Sequence, residues 1–101
     1  MPIQYEGILA EHQHTRTKTG LFDICHMGEF ELTGSTAAAD LENLLTMKIY
    51  TLAVGQCRYG FLLDEQGGVI DDLTCYRLGE ERYMLVVNAA TLEVDSASRR
   101  I

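Results

Sequence analysis

The sequence predicts an α+β domain, an antiparallel sheet with helices packed on one face. Three observations carry that expectation. Three strand-like runs follow one another with glycine-bearing turns between them, and one segment rich in alanine and leucine has helical spacing. Helical and strand-like segments also alternate irregularly around hairpins, not in regular strand–helix–strand units. A length of 101 residues makes one domain the natural count, and a hydrophobic content of 47% lets it bury a core.

The elements follow in order. Residues 7–20, GILAEHQHTRTKTG, read as a helix that stops at Gly20. Its apolar content is limited to Ile8, Leu9 and Ala10, so it is expected on the surface. Residues 21–34, LFDICHMGEFELTG, alternate raggedly and predict one or two strands with a break near Gly28. Residues 35–47, STAAADLENLLTM, are the clearest helix. Ser35 or Thr36 can cap it, the alanines raise its propensity, and Leu41, Leu44 and Leu45 share one side. CRYGFLL (57–63), VIDDLTCY (69–76) and RYMLVVN (82–88) are the three strands. Gly67-Gly68 and Gly79 in their turns suit an antiparallel meander. A final helix is expected from Ala89 to Arg100, its arginines matching the dipole at a helix C-terminus. The chain stops soon after, and reads as a piece of something larger.

Charge and composition exclude several classes. Eight Lys and Arg stand against fifteen Asp and Glu, a formal charge of -7, which argues against a nucleic-acid partner. The basic pair Arg99-Arg100 lies at the extreme end. No apolar run approaches a membrane span, and Met1-Pro2-Ile3 does not open a signal peptide. Cys25, Cys57 and Cys75 are odd in number and form no CxxC, so free, mostly buried thiols in a reducing cytosol are expected. His12 and His14 lie two apart and do not face one another on a helix, so no metal site is expected there. Cys25 and His26 are adjacent, but adjacency does not orient a base towards a thiol, and packing is the expected role. No phosphate-binding glycine loop occurs.

The unusual feature is Asp71-Asp72 inside a β-branched run, where a strand interior is normally short of aspartate. Neighbours on a strand point to opposite faces, so the two carboxylates do not converge unless a bulge intervenes. One is then free to work in a pocket while the other meets solvent or a partner. Parity groups Ile70, Asp72, Thr74 and Tyr76 on the more polar face, against Val69, Asp71, Leu73 and Cys75. Folding the hairpin about residue 66 brings Asp72 near Gly60 and Tyr59, and folding at Gly79 brings it near Val87 and Asn88. Tyr59, Asp72, Tyr76 and Asn88 form one neighbourhood, suited to a planar, nitrogen-rich ligand. On periodicity alone, a polar sheet face in water is the favoured alternative.

Taken together, MPIQYEGILAEHQHTRTKTGLFDICHMGEFELTG, CRYGFLLDEQGGVIDDL and RYMLVVNAA resemble the glycine cleavage system T-protein family, the folate-dependent aminomethyltransferases. The combination of GLFD-x-x-HMGEF, GG-x-x-DDL and VVNA is specific, and the resemblance extends over nearly the whole chain. Members of that family are several times longer and have three domains around a channel that holds tetrahydrofolate. This chain resembles part of the first, folate-binding domain, so residues 1–101 are expected to be a partial domain. The resemblance implies that Asp72 is the catalytic carboxylate beside the reacting end of the pterin, positioning the folate and assisting attack by N5. It implies that Tyr59 and Tyr76 line the folate site, that Asn88 hydrogen-bonds the pterin, and that Met27 lies near the pocket.

The implied reaction moves a one-carbon unit from the aminomethyl-lipoyl arm of the H-protein to tetrahydrofolate, with release of ammonia and no metal. The implied setting is glycine catabolism and one-carbon metabolism in the cytoplasm, or the mitochondrial matrix in a eukaryote. The isolated chain is expected to be inactive and to self-associate through a face meant for further domains. Cys25 stands where the family usually has serine, LLTMKIY lacks the usual Asn-Asp, and TLEVDSASRR is only loosely family-like. Two other readings stay open: a non-catalytic folate-binding relative or interaction module of the iron–sulfur assembly type, and a folate-dependent demethylase. The complete GG-x-x-DDL favours the transferase over the non-catalytic relative.

Overall fold

A computed structural model describes residues 2–91. Its elements are α1 (Ile8–Thr17), β1 (Gly28–Thr33), α2 (Ala37–Leu44), β2 (Cys57–Leu63), β3 (Val69–Gly79) and β4 (Arg82–Val87). All strand pairs are antiparallel, in the order β1-β4-β3-β2. The meander β2-β3-β4 is the one expected, and β1 adds a fourth strand on the far edge of β4. The helix expected from Ala89 to Arg100 lies mostly outside the described residues. Its first residues form a turn, in which the Thr91 amide donates to the Asn88 carbonyl at 3.3 Å.

The β2–β3 turn is built on one side chain. The carboxylate of Asp64 accepts the amides of Gln66 at 2.9 Å and Gly68 at 2.7 Å. Gly67 turns with φ of 84°, a value that side chains rarely tolerate. Leu63 then pairs with Val69, which is the fold about residue 66 that the sequence predicts. A bulge at Ile70 shifts every later pair by one, so Leu62 faces Asp71 and Phe61 faces Asp72. The expected pairing of Asp72 with Gly60 is thereby corrected. Ile70 also leaves the polar set, because the bulge turns it against the core.

The core lies on one face of the sheet. Leu62, Leu73, Cys75, Tyr83, Leu85 and Val87 point into it from the strands. Ala37 and Leu41 cover them from α2, and Leu45, Met47, Ile49 and Leu52 from the following loop. α2 is shorter than its alanine-rich segment predicted. Leu45 is extended and bridges to Leu62, so residues after Leu44 line the edge of β2 instead of continuing the helix. The cap is also different: Thr36 makes no side-chain capping bond, and the Ala37 amide turns back to the Gly34 carbonyl at 3.1 Å.

Arg77 closes the other end of the core. It donates to the Leu52 carbonyl at 2.8 Å and lies over the Tyr83 ring, 5.6 Å from its centroid.

α1 buries no residue, as its thin apolar content predicted. Its N-terminus is held by Glu11, whose carboxylate accepts the amides of Tyr5, Glu6 and Gly7 at 2.6, 2.9 and 3.1 Å. Those bonds tie the segment before the helix to its first turn, and the Tyr5 amide is the main reason the Glu11 carboxyl titrates below its ordinary range. Residues 21–27 form no strand; the strand character of 21–34 is confined to the part after the break at Gly28. The thiols also correct the expectation of burial, since Cys25 and Cys57 are exposed and Cys75 alone is buried. No described helix is long and apolar enough to cross a membrane, and the described residues contain no cluster of metal-ligating side chains.

Candidate functional site

The face of the sheet opposite the core carries Tyr59 and Phe61 from β2, Asp72, Thr74 and Tyr76 from β3, and Met84 and Val86 from β4. These side chains are half-buried or exposed, and Tyr59 is 57% exposed. At one end of this face the chemistry becomes polar. Extending the strand registers by one residue makes a row across the sheet of Met27, Asn88, Asp72 and Phe61.

Hydrogen bonds tie this row together. The Tyr59 hydroxyl donates to Asp72 Oδ2 at 2.8 Å. Asn88 Nδ2 donates to Asp72 Oδ1 and to the Asp72 carbonyl, both at 3.0 Å. The same nitrogen lies 2.8 Å from Asp71 Oδ1. The two carboxylates therefore converge after all, not on each other but on one amide. The bulge makes this arrangement possible: without the shift at Ile70, Tyr59 would fall on the face opposite Asp72.

Asp71 does not meet solvent, the role expected of whichever carboxylate stayed outside the pocket. It is 7% exposed, beside the core residues Leu73 and Val87. Its Oδ2 accepts the Thr91 hydroxyl at 2.6 Å and, more weakly, the Asn88 amide at 3.4 Å. Burial alone would push this carboxyl up. The bonds from Thr91 and Asn88 outweigh it and hold the group below the ordinary aspartate range, so it stays ionised. Tyr59 moves the other way. Its bond to the Asp72 carboxylate raises the phenol, since ionising it would place two negative charges side by side.

Of the residues singled out in the sequence, Tyr59, Asp72 and Asn88 are in direct contact. Tyr76 shares their face but stands four residues along β3 from Asp72, about 13 Å away at the usual strand rise. Met27 ends the row at the far edge and is 41% exposed. Phe61, which joins the row, and Thr91, which holds Asp71 from behind, escaped the sequence reading, while Asp71 was singled out but not given a place beside Asn88. Phe61 packs edge-on against Tyr59, ring centroids 5.3 Å apart, and gives the row an aromatic wall. Its alternation with Tyr59 was visible, but the bulge that aligns it with Asp72 was not.

A sheet whose open face ends in a carboxylate, an oriented amide and two aromatic rings belongs to the class of surfaces with the chemistry to hold a flat molecule rich in hydrogen-bond donors. Comparison with known proteins gives that class a family. The GCVT N-terminal domain model matches residues 1–98. The chain is 50% identical over 95 residues to an aminomethyltransferase of Chloroherpeton thalassium, covering 94% of this chain and 26% of that protein. It is 45% identical over 100 residues to the aminomethyltransferase of Exiguobacterium sibiricum, covering 99% of this chain and 28% of the relative. The crystal structure of the glycine cleavage system aminomethyltransferase T from Bartonella henselae superimposes with a TM-score of 0.76 at 45% identity, over 94% of this chain and 27% of that one. The chain belongs to the GCVT N-terminal domain family, and it spans about a quarter of the length of the relatives it matches.

Proposed function

We propose that this chain supplies the pterin-facing wall of a folate-dependent aminomethyltransferase of the glycine cleavage system. The observation that carries the reading is the Tyr59–Asp72–Asn88 cluster at the end of the open face. Its chemistry fits the ligand. With Nδ2 engaged by three oxygens, Asn88 offers its Oδ1 to a ring N–H or amino group, and Asp72 is a second acceptor beside it. Tyr59 and Phe61 supply apolar ring surface for a flat heterocycle, and Tyr76 and Met27 extend the same face.

Tetrahydrofolate supplies the nucleophilic nitrogen that accepts the one-carbon unit, while the lipoyl-bearing H-protein presents the donor. The protein's own part is orientation and one negative charge. Asp72 accepts a hydrogen bond from the bound heterocycle and stabilises positive charge that develops there as ammonia leaves. Tyr59 fixes the carboxylate's rotamer by holding Oδ2. The setting is one-carbon metabolism in the cytoplasm, or in a mitochondrial matrix.

The test is a calorimetric titration of the chain with tetrahydrofolate, run beside Asp72→Asn. Saturable binding that the substitution weakens about tenfold or more, the worth of one charged hydrogen bond, supports the reading. Binding that ignores the substitution, or no heat at millimolar ligand, overturns it.

Self-association belongs to the same proposal. Ile3, Ile8, Leu9, Leu21, Phe22 and Ile24 are all largely exposed, and a protein burying them against a second copy would remove that surface from water. Sedimentation equilibrium should show a dimer or larger species; a clean monomer at high concentration contradicts it.

A further inference from the structure

We propose that Asp71 is a positioning residue: it locks the side-chain amide of Asn88 in the one orientation that presents Oδ1 to a donor on the ligand. The inference rests on the folate reading of the site and adds a residue to it.

What each group is able to donate decides the orientation. Asn88 Nδ2 lies within 3.0 Å of three oxygens: Asp71 Oδ1, Asp72 Oδ1 and the Asp72 carbonyl. A carboxylate only accepts, and a backbone carbonyl only accepts. Turning the amide over would set an oxygen against three oxygens with no proton between any of them. The nitrogen is therefore fixed toward those three oxygens, and Oδ1, which accepts no bond from the described residues, is left as an acceptor for a ligand.

Asp72 and its carbonyl contribute to this lock, but Asp72 is itself partly exposed and already shared with Tyr59. A ligand that competes for Asp72 would loosen the amide unless another acceptor held it. Asp71 fills that role. It is buried, anchored from its other oxygen by Thr91, and takes the shortest of the three bonds from Nδ2. This explains why two adjacent aspartates stand in one strand: one is turned to the ligand face, and the other holds the amide from behind.

The test combines two readouts on the chain. In the free protein, the Asn88 side-chain NH2 protons should be shifted and slow to exchange with water. Asp71→Asn should reduce that protection, because an amide at 71 accepts either orientation of its neighbour and only the Asp72 carboxylate and carbonyl remain to hold Nδ2. Thr91→Val is the control for a purely structural role. It should lower stability while leaving the Asn88 protons protected, since Asp71 Oδ1 keeps its bond. With tetrahydrofolate, Asp71→Asn should cost about tenfold in affinity, the worth of one neutral hydrogen bond, and cost nothing further in an Asn88→Ala background. Thr91→Val should change affinity less than twofold.

Unaltered Asn88 protons in Asp71→Asn, or affinity losses that simply add in the double variant, would overturn the proposal. If the unsubstituted chain binds no tetrahydrofolate, the folate reading falls, and the protection of the Asn88 protons still decides whether Asp71 sets the amide.

Discussion

The Tyr59 hydroxyl donates to Asp72 Oδ2 across the β2–β3 pair at 2.8 Å, joining the phenol and carboxylate of the open face. The bond makes Tyr59 a reporter of the site. Its phenol should titrate above the ordinary value of 10.0, because Asp72 opposes its ionisation. Following the five tyrosines by carbon-13 labelling of their hydroxyl-bearing carbons should single out Tyr59 as raised. Asp72→Asn should bring it down again. By linkage, a raised phenol favours the folded state below pH 10 and loses that contribution as pH climbs through the folded value. A Tyr59 midpoint indifferent to Asp72→Asn contradicts the bond.

Asp71 should govern the acid limb of stability. Its folded proton affinity is depressed, so its contribution is complete above the ordinary aspartate value of 3.8 and is lost as pH falls through the folded value below it. Asp71→Asn should lower stability at pH 7 by about 1–3 kcal/mol through its bonds to Thr91 and Asn88. It should also flatten the loss between pH 4 and pH 2. Denaturant unfolding at both ends of that window checks the sign. A variant as acid-sensitive as the original would mean that other carboxylates set the limb.

How much of this was legible in the sequence depended on where the chain departs from strict period two. The nearness of Asp72 to Asn88 was expected from folding at Gly79, and it holds because the register shifts by one between the Gly79–Arg82 and Arg77–Tyr83 pairs; carried straight from the turn, Asp72 would face Ala89. The placement of Tyr59 with Asp72 depended on the bulge at Ile70, and nothing in VIDDLTCY marks which residue is the extra one. Parity put Ile70 on the wrong face for the same reason. Asp71 was misjudged because it stands on the core face, where one of its hydrogen-bond donors is Thr91, a residue that the expected helix from Ala89 had assigned elsewhere. Residues 21–27 have the composition of a strand but pair with none of the four strands, and composition alone does not supply a partner.

The cysteines should divide cleanly. Cys25 and Cys57 are exposed, while burial pushes the Cys75 thiol up to about 11. A thiolate-specific reagent at pH 8 should label two thiols quickly in the folded chain and the third only on unfolding. Mass spectrometry of the labelled peptides identifies them. Rapid labelling of Cys75 would mean that β3 is not covered by α2 and its loop as described.

Tyr83 offers a test of the core. Its ring is 1% exposed, and its hydroxyl has no hydrogen-bond partner among the described residues. Tyr83→Phe should therefore leave the melting temperature unchanged or raise it, since an unpaired buried hydroxyl costs about 1–3 kcal/mol. Leu85→Ala, at a fully buried neighbour on β4, should lose about 2–5 kcal/mol. A large loss on Tyr83→Phe would reveal a partner for that hydroxyl.

The central claim is that the open face, at its polar end, receives a pterin. The measurement that tests it most directly is a two-dimensional nitrogen-15 spectrum of the chain, followed during titration with tetrahydrofolate. The account predicts saturable shifts at Phe61, Asp72 and Asn88 and at the Asn88 side-chain amide, with little change at Leu41, Ile49 or Leu85 in the core. Shifts confined to α1 and the segment before it, or shifts spread evenly over both faces of the sheet, would contradict it.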